Sequence, residues 1–150
     1  MHTEVVHDLP RLVAQTRADS CWAAVLDSWS HTRPHPFAPI TQAAAIRRWA
    51  MGPTGGIAVP YVLPMIAGAL GLAYAGIRGA EFEERLGKAL PRGLVMCAYP
   101  VTGGVHAVLI WGFAADGSVS YMDPNAGARH RTVPLAAFAA HPGLVVVHRR

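Results

Sequence analysis

Cys21 has the position in this 150-residue chain that best suits a nucleophile. It follows Asp19 and Ser20, residue types that favour the N-cap of a helix, so the sequence predicts that Cys21 lies in a first helical turn. There, free backbone amides and roughly half a positive charge stabilise a thiolate. The second cysteine, Cys97, lies in an apolar strand-like run, where a thiol behaves as a small buried hydrophobe.

His106 is the strongest candidate for the base that such a nucleophile needs. It begins a predicted strand ending at Phe113, and a four-residue turn leads into a second strand ending at Asp123. If Phe113 pairs with Ser118, Asp123 lies opposite Val108, on the face that also carries His106. The two side chains are then diagonal neighbours within reach of a hydrogen bond. A change of one residue in the register would place them on opposite faces.

Gln15 completes this set of candidate residues. It lies six residues before Cys21, and we expect its side-chain amide to donate to a developing oxyanion beside the backbone amide of Cys21. Each residue alone is weak evidence, because cysteines at helix starts and histidines at strand ends are often structural. Glutamine, cysteine, histidine and aspartate in this order and in these settings predict an acyl-transfer site.

Other polar residues suggest less specific roles. His31 and His35 have a spacing found in metal sites, but they lie in a proline-rich loop with no third ligand in view, so we predict no metal or cofactor. Arg129, His130 and Arg131 form a small basic cluster after the second strand. This cluster either lines a substrate cleft or is simply solvated.

The elements that must position these residues change character along the chain. Helical spacing, caps and Gly-Pro stops come first, and short β-branched or aromatic runs separated by turns come later. The sequence therefore predicts an α+β fold in which an N-terminal helical half packs on a C-terminal antiparallel β-sheet. Helices are predicted over 20–30, 42–51, 64–70 and 80–90, and strands over 94–101, 107–113, 118–122 and 144–148.

Length and composition exclude several classes of protein. A chain of 150 residues with 52% hydrophobic and 15% charged residues predicts one globular domain over 1–150. Its net charge of +4 comes from twelve Arg and one Lys without a basic run longer than a pair, which argues against nucleic-acid binding. The uncharged stretch 55–77 is interrupted by Pro and Gly, so we predict no membrane span. Residues 1–20 are too charged for a signal peptide.

Three segments of the sequence resemble those of papain-like cysteine proteases. Gln15 and the run Cys-Trp-Ala-Ala from Cys21 are similar to their nucleophile segment, and residues 104–112 around His106 are similar to their histidine strand. Asp123 and Pro124 resemble the Asp-Pro of the compact bacterial branch, which includes bacteriocin-processing peptidase domains and short secreted effector proteases. The nucleophile segment is closer to the effector type.

The resemblance implies a papain-like fold and assigns a role to each candidate. Cys21 would be the nucleophile, His106 the general base and then acid, Asp123 its orienting partner, and Gln15 the oxyanion donor. Plant and lysosomal relatives carry Asn where this chain carries Asp123, and Asp favours the imidazolium more strongly. Only fourteen residues precede Gln15, so we expect no N-terminal prosegment; either inhibition before delivery comes from elsewhere, or the chain is cut from a longer protein.

These features predict a cysteine endopeptidase that acts on a protein or peptide. The resemblance further implies a bacterial effector or toxin domain, secreted or delivered into a target cell without a classical signal peptide, with an immunity or inhibitor protein as an expected partner. The same residues also serve a deamidase, a transglutaminase-like enzyme or a cell-wall amidase. Ser20-Cys21-Trp22-Ala23 lacks the Asp-Cys-Ser-Gly type of segment usual in cell-wall hydrolases. A non-catalytic binding module is the remaining alternative, although all four candidate residues are present.

Overall fold

The structure, a computed structural model, describes residues 3–150. In this range the chain forms five α-helices and seven β-strands, with short 3₁₀ turns on either side of α4. The helices are α1 (Cys21–Ser30), α2 (Gln42–Trp49), α3 (Val59–Ala69), α4 (Phe82–Ala89) and α5 (Leu135–Ala139). The strands are β1 (Val5–Val6), β2 (Leu72–Arg78), β3 (Val95–Val101), β4 (Gly104–Phe113), β5 (Ser118–Asp123), β6 (Arg129–Pro134) and β7 (Gly143–Arg149).

All the strands belong to one antiparallel sheet in the order β2-β7-β3-β4-β5-β6, and β1 pairs with the end of β4. The predicted α+β class is confirmed, and the four predicted strands correspond to β3, β4, β5 and β7. Helix α3 begins five residues before the predicted start at 64, with Pro60 in its first turn, where a missing N–H is tolerated. No helix within residues 3–150 has the length and apolar character needed to cross a bilayer.

Three strands, β1, β2 and β6, were not predicted from the sequence; β1 has only two residues, and β2 and β6 lie at the two edges of the sheet. Strand β2 contains Ala73, Ala75 and Gly76, residue types with low strand propensity, so its pairing with β7 along the whole strand determines its conformation. Strand β6 begins with Arg129, and its row of polar residues protects an open edge against pairing with other chains. Neither strand has the local apolar alternation that marks a strand in a sequence.

The β4–β5 hairpin has a register that changes along its length. Near the turn, Phe113 lies opposite Val119, so the predicted pairing of Phe113 with Ser118 is wrong by one residue. A β-bulge farther along β4 absorbs the extra residue, and beyond it Leu109 lies opposite Met122, as the predicted register requires. The bulge therefore restores the predicted register at the end of the hairpin that carries His106.

Hydrophobic side chains cover both faces of the sheet. One face packs against α1, α2 and α3 through residues such as Trp22, Leu26 and Leu63. The other face packs against α4 and α5, where Phe82 stacks on Phe138 with ring centroids 5.0 Å apart. The sheet thus lies between two helical layers, and the start of α1 meets it beside β4.

Candidate active site

Cys21 is the first residue of α1, as the sequence predicts. Ser20 occupies the N-cap position, but its hydroxyl makes no capping bond; it donates to Oε1 of Gln42 at 2.9 Å and accepts from the N–H of Arg17 at 3.0 Å. The thiol of Cys21 lies 3.8 Å from the carbonyl oxygen of Val105 on β4. The nucleophile candidate is thus held between a helix start and the strand that carries the histidine.

His106 and Asp123 are brought together by the β4–β5 hairpin. Nε2 of His106 lies 2.8 Å from Oδ1 of Asp123, and both side chains are largely buried. The same carboxylate oxygen accepts a hydrogen bond from the backbone N–H of Asn125 at 3.0 Å. The carboxylate thereby fixes the orientation of the imidazole ring. The other ring nitrogen, Nδ1, remains to bond with the thiol of Cys21.

The pair is arranged to carry opposite charges. Burial alone would lower the pKa of His106, but hydrogen bonds with Asp123 and Cys21, together with their charges, raise it to about 9. Burial alone would raise the pKa of Asp123, yet hydrogen bonds from His106 and Asn125 and the charges of His106 and Arg131 lower it. At neutral pH the favoured state is therefore an imidazolium beside a carboxylate.

Tyr99 packs against the imidazole, a contact that no sequence pattern predicted. It lies opposite His106 in the β3–β4 ladder, and the two rings meet edge to face with centroids 5.7 Å apart. The ring of His141 also stacks on Tyr99, with ring centroids 4.7 Å apart. Only knowledge of the β3–β4 register would have placed Tyr99 beside His106.

The basic cluster on β6 divides between two environments. Nη1 of Arg131 lies 3.5 Å from Oδ2 of Asp123, and Arg131 lines the cleft together with Cys21 and His106. His130 instead packs edge to face on Trp111, with ring centroids 5.6 Å apart. Of the two interpretations that the sequence left open, lining of the cleft fits Arg131.

Gln15 lines the same cleft as Cys21, His106 and Asp123. Its backbone N–H donates to the carbonyl of Pro124 at 2.9 Å, which ties the segment to the hairpin. Its side-chain Nε2 donates to the carbonyls of Arg17 at 3.1 Å and Ala18 at 2.9 Å. Donation to an oxyanion therefore requires Gln15 to exchange one of these local bonds for the substrate.

An apolar cavity of about 450 Å³ opens beside the thiol. The indole N–H of Trp22 donates to the carbonyl of Gly55 at 2.7 Å, which anchors the loop that forms one rim. Met51 on this rim is exposed. The lining side chains include Cys21, Trp22, Ile57, Leu63, Met96 and Ala107.

His31 and His35 make local hydrogen bonds. Nδ1 of His31 lies 2.7 Å from the carbonyl of Asp27, and Nδ1 of His35 lies 2.7 Å from the carbonyl of Ser30. Across residues 3–150, no group of three or more His, Cys, Asp or Glu side chains is placed to hold a metal ion.

Two solved structures are similar to this chain over nearly its whole length. The peptidase domain of Streptococcus ComA, a bifunctional ABC transporter involved in a quorum-sensing pathway, has a TM-score of 0.64 and 16% identity and aligns over 95% of this chain and 100% of that chain. A double-glycine motif protease from an AMS/PCAT transporter, in complex with the leader peptide, has a TM-score of 0.57 and 18% identity over 99% of both chains. At these identities the similarity establishes the fold. A comparison with curated proteins found no match.

The sequence itself matches a protein-family model. The model describes the papain-like cysteine protease AvrRpt2, and it matches residues 3–142. The match includes the segments around Gln15, Cys21, His106 and Asp123. This chain therefore belongs to the family of the papain-like cysteine protease AvrRpt2, and it is a cysteine protease with a papain-like fold.

Proposed function

We propose that this protein is an endopeptidase that works through a Cys21-His106-Asp123 triad. The observation that carries the proposal is the 2.8 Å hydrogen bond between His106 on β4 and Asp123 on β5, in the cleft that Cys21 also lines. This bond orients the imidazole, and the buried carboxylate stabilises its protonated form. The resulting imidazolium favours the thiolate of Cys21.

The residues divide the reaction between them. The Cys21 thiolate attacks the peptide carbonyl carbon, and the negative charge moves to the carbonyl oxygen, which the backbone N–H of Cys21 and the amide of Gln15 stabilise. The C–N bond then breaks as His106 donates its proton to the leaving amine. His106 next removes a proton from water, and the hydroxide hydrolyses the thioester and releases Cys21.

We propose that the apolar cavity beside Cys21 selects the substrate. Aliphatic and aromatic side chains such as those of Leu63 and Met96 form its walls, and its volume of about 450 Å³ suits a bulky apolar side chain. A negatively charged side chain there would lose its water without gaining an opposite charge, because the one charged residue in the lining, within residues 3–150, is Asp19. A substrate with an aliphatic or aromatic residue close to the cleaved bond fits this cavity.

We also propose a bacterial effector or toxin role, in which the protein is delivered into a target cell without a classical signal peptide and cleaves a protein there. The family match and the effector-type nucleophile segment beginning at Cys21 support this role. A protease of this kind endangers the cell that makes it, so an immunity or inhibitor protein is the expected partner.

The test compares the wild-type protein with Cys21→Ala on a complex protein mixture. New N-termini are identified by mass spectrometry, with Cys97→Ala as a matched control that keeps the nucleophile. We expect new N-termini with the wild type and the control but not with Cys21→Ala, and apolar residues close to the cleaved bonds. Conversion of glutamine to glutamate without new N-termini would instead establish a deamidase.

A further inference from the structure

Gln42 is a buried polar residue to which the proposed reaction assigns no role. It is the first residue of α2, and only 5% of its surface is exposed. Thr41 already caps this helix, since its hydroxyl accepts from the N–H of Ala44 at 3.2 Å. A buried amide at this position is costly unless it makes specific hydrogen bonds, so its contacts indicate its role.

The side chain of Gln42 binds the backbone on both sides of Gln15. Its Nε2 donates to the carbonyl of Ala14 at 2.8 Å, and its Oε1 accepts from the N–H of Thr16 at 2.9 Å. The same oxygen accepts from the hydroxyl of Ser20, the residue before Cys21, at 2.9 Å. One amide therefore joins the Gln15 segment to the start of α1.

These contacts determine the orientation of the amide. A backbone carbonyl can only accept and a backbone N–H can only donate, so rotating the amide by half a turn would lose the bonds to both Ala14 and Thr16. The base of the side chain is also fixed, because the backbone N–H of Gln42 donates to Oδ2 of Asp27 at 2.8 Å. Asp27 lies in the middle of α1 and is itself buried.

The opposite side of the same segment is fixed by the hairpin that carries His106 and Asp123. The N–H of Gln15 donates to the carbonyl of Pro124, which directly follows Asp123. The segment 14–16 is thus held between Gln42 on one side and the end of β5 on the other. A shift of the Gln42 amide would change the distance between the Gln15 side chain and the N–H of Cys21, the two proposed oxyanion donors.

We infer that Gln42 is a positioning residue for the oxyanion site, acting through the backbone around Gln15 and through Ser20. This inference depends on the proposed roles of Gln15 and Cys21. It predicts that Gln42 affects the acylation step, in which an oxyanion forms, more than reactions of the thiol that form none. A residue that only stabilises the fold would not distinguish these reactions.

The experiment measures two rates for Gln42→Leu, a substitution that keeps the approximate size and removes both polar atoms. The first is the single-turnover acylation of Cys21 by a peptide ester, and the second is its alkylation by iodoacetamide. We expect acylation to fall by about 10–10²-fold, because small displacements of positioned groups have effects of this size. We expect the alkylation rate to be unchanged.

Two further variants keep the inference falsifiable. Ser30→Ala removes a different buried hydrogen bond of α1, the one that its hydroxyl accepts from the N–H of Ile40 at 3.0 Å, and should leave both rates unchanged in folded protein. In a Gln15→Ala background, Gln42→Leu should lower acylation by a smaller factor than in the wild-type background, because the part of its effect that acts through Gln15 is already lost.

Several results would overturn the inference. They are an unchanged acylation rate in Gln42→Leu, equal losses in both reactions, or a loss that multiplies with that of Gln15→Ala. Failure of the proposed function itself has a different signature. In that case the wild-type protein would not be acylated at all, or acylation would persist in Cys21→Ala.

Discussion

The two cysteines of this chain are almost equally buried, yet their surroundings differ completely. Cys21 is 6% exposed and Cys97 is 0% exposed. Cys21 begins α1 at the edge of a cleft, beside His106. Cys97 lies in the middle of β3, between Val108 on one neighbouring strand and Val146 on the other.

The two buried thiols are expected to differ in reactivity because different groups surround them. Around Cys97 the surroundings are apolar, and burial raises the pKa of its thiol far above the ordinary value, so the thiol remains protonated. Around Cys21, the first turn of α1 and the imidazolium of His106 place positive charge beside the sulfur atom. The charges and dipoles that face a thiol, more than its exposed area, determine whether it can act as a nucleophile.

Replacement of the two cysteines gives the largest expected contrast. Cys21→Ala should reduce kcat by about 10⁶-fold, as loss of a triad nucleophile does, because the attacking atom is gone. Cys97→Ala should leave kcat unchanged, because its side chain does not line the cleft. Cleavage of a peptide by folded protein, verified by circular dichroism, provides the measurement. Near-normal turnover by Cys21→Ala would refute the assignment of the nucleophile.

Asp123→Asn should weaken the positive charge of His106 beside Cys21, the feature that distinguishes the environment of Cys21 from that of Cys97. It keeps the shape of the side chain but removes the charge that helps raise the pKa of His106 to about 9. We expect kcat to fall by up to about 10⁴-fold. The alkaline limb of the kcat/KM profile, near pH 9 in the wild type, should move to lower pH, because His106 then loses its proton earlier. Asp116→Asn, at an exposed turn, is the matched control and should leave the profile unchanged.

The same pair makes stability depend on pH. The pKa of His106 is about 9 in the folded protein against an ordinary value of 6.5, so the folded state holds a proton that the unfolded chain has lost between these values. The stabilisation is complete below about pH 6.5 and is lost as the pH rises through about 9. The free energy of unfolding from urea titrations should fall across this interval, and it should fall less in Asp123→Asn. An equal fall in both proteins would show that the His106–Asp123 pair is not the source of the pH dependence.

The segment around Cys21 was predictable because its determinants are local. An N-cap residue type and apolar residues at helical spacing placed the start of α1 correctly. The pairing of His106 with Asp123 required a hairpin register, and the predicted turn pairing was wrong. The bulge in β4 compensated for that error, and neither propensity nor periodicity indicated the bulge.

The contacts that the sequence did not reveal join distant segments of the chain. Tyr99 meets His106 through the β3–β4 ladder, and Arg131 meets Asp123 through β6, an edge strand with no apolar alternation. Gln42 binds backbone groups 26 and 28 residues away along the chain, and the hydroxyl of Ser20, 22 residues away. Local propensity and periodicity cannot encode such contacts, because they depend on which strands and loops become neighbours.

Gln15→Ala tests a smaller difference, the one between the thiol itself and the oxyanion site beside it. Loss of one oxyanion donor should lower the acylation rate by about 10²–10³-fold with little change in KM. Alkylation of Cys21 by iodoacetamide should be unaffected, because no oxyanion forms in that reaction. A large rise in the substrate dissociation constant with an unchanged single-turnover rate would mean that Gln15 only positions the substrate.

The smallest expected effect concerns Cys97 alone. Cys97→Ala removes one sulfur atom from a closely packed sheet, which should lower the free energy of unfolding by about 1–3 kcal/mol. Cys97→Ser should cost at least as much, because its hydroxyl would lie between Val108 and Val146, where neither flanking side chain offers a hydrogen bond. Urea titrations give the free energies, and kcat should be unchanged in both variants.

In the wild type, a thiol reagent should reach Cys97 only at the rate set by opening of the fold, while Cys21 reacts in the folded state. Equal labelling of the two thiols under native conditions would contradict the proposed difference between their environments.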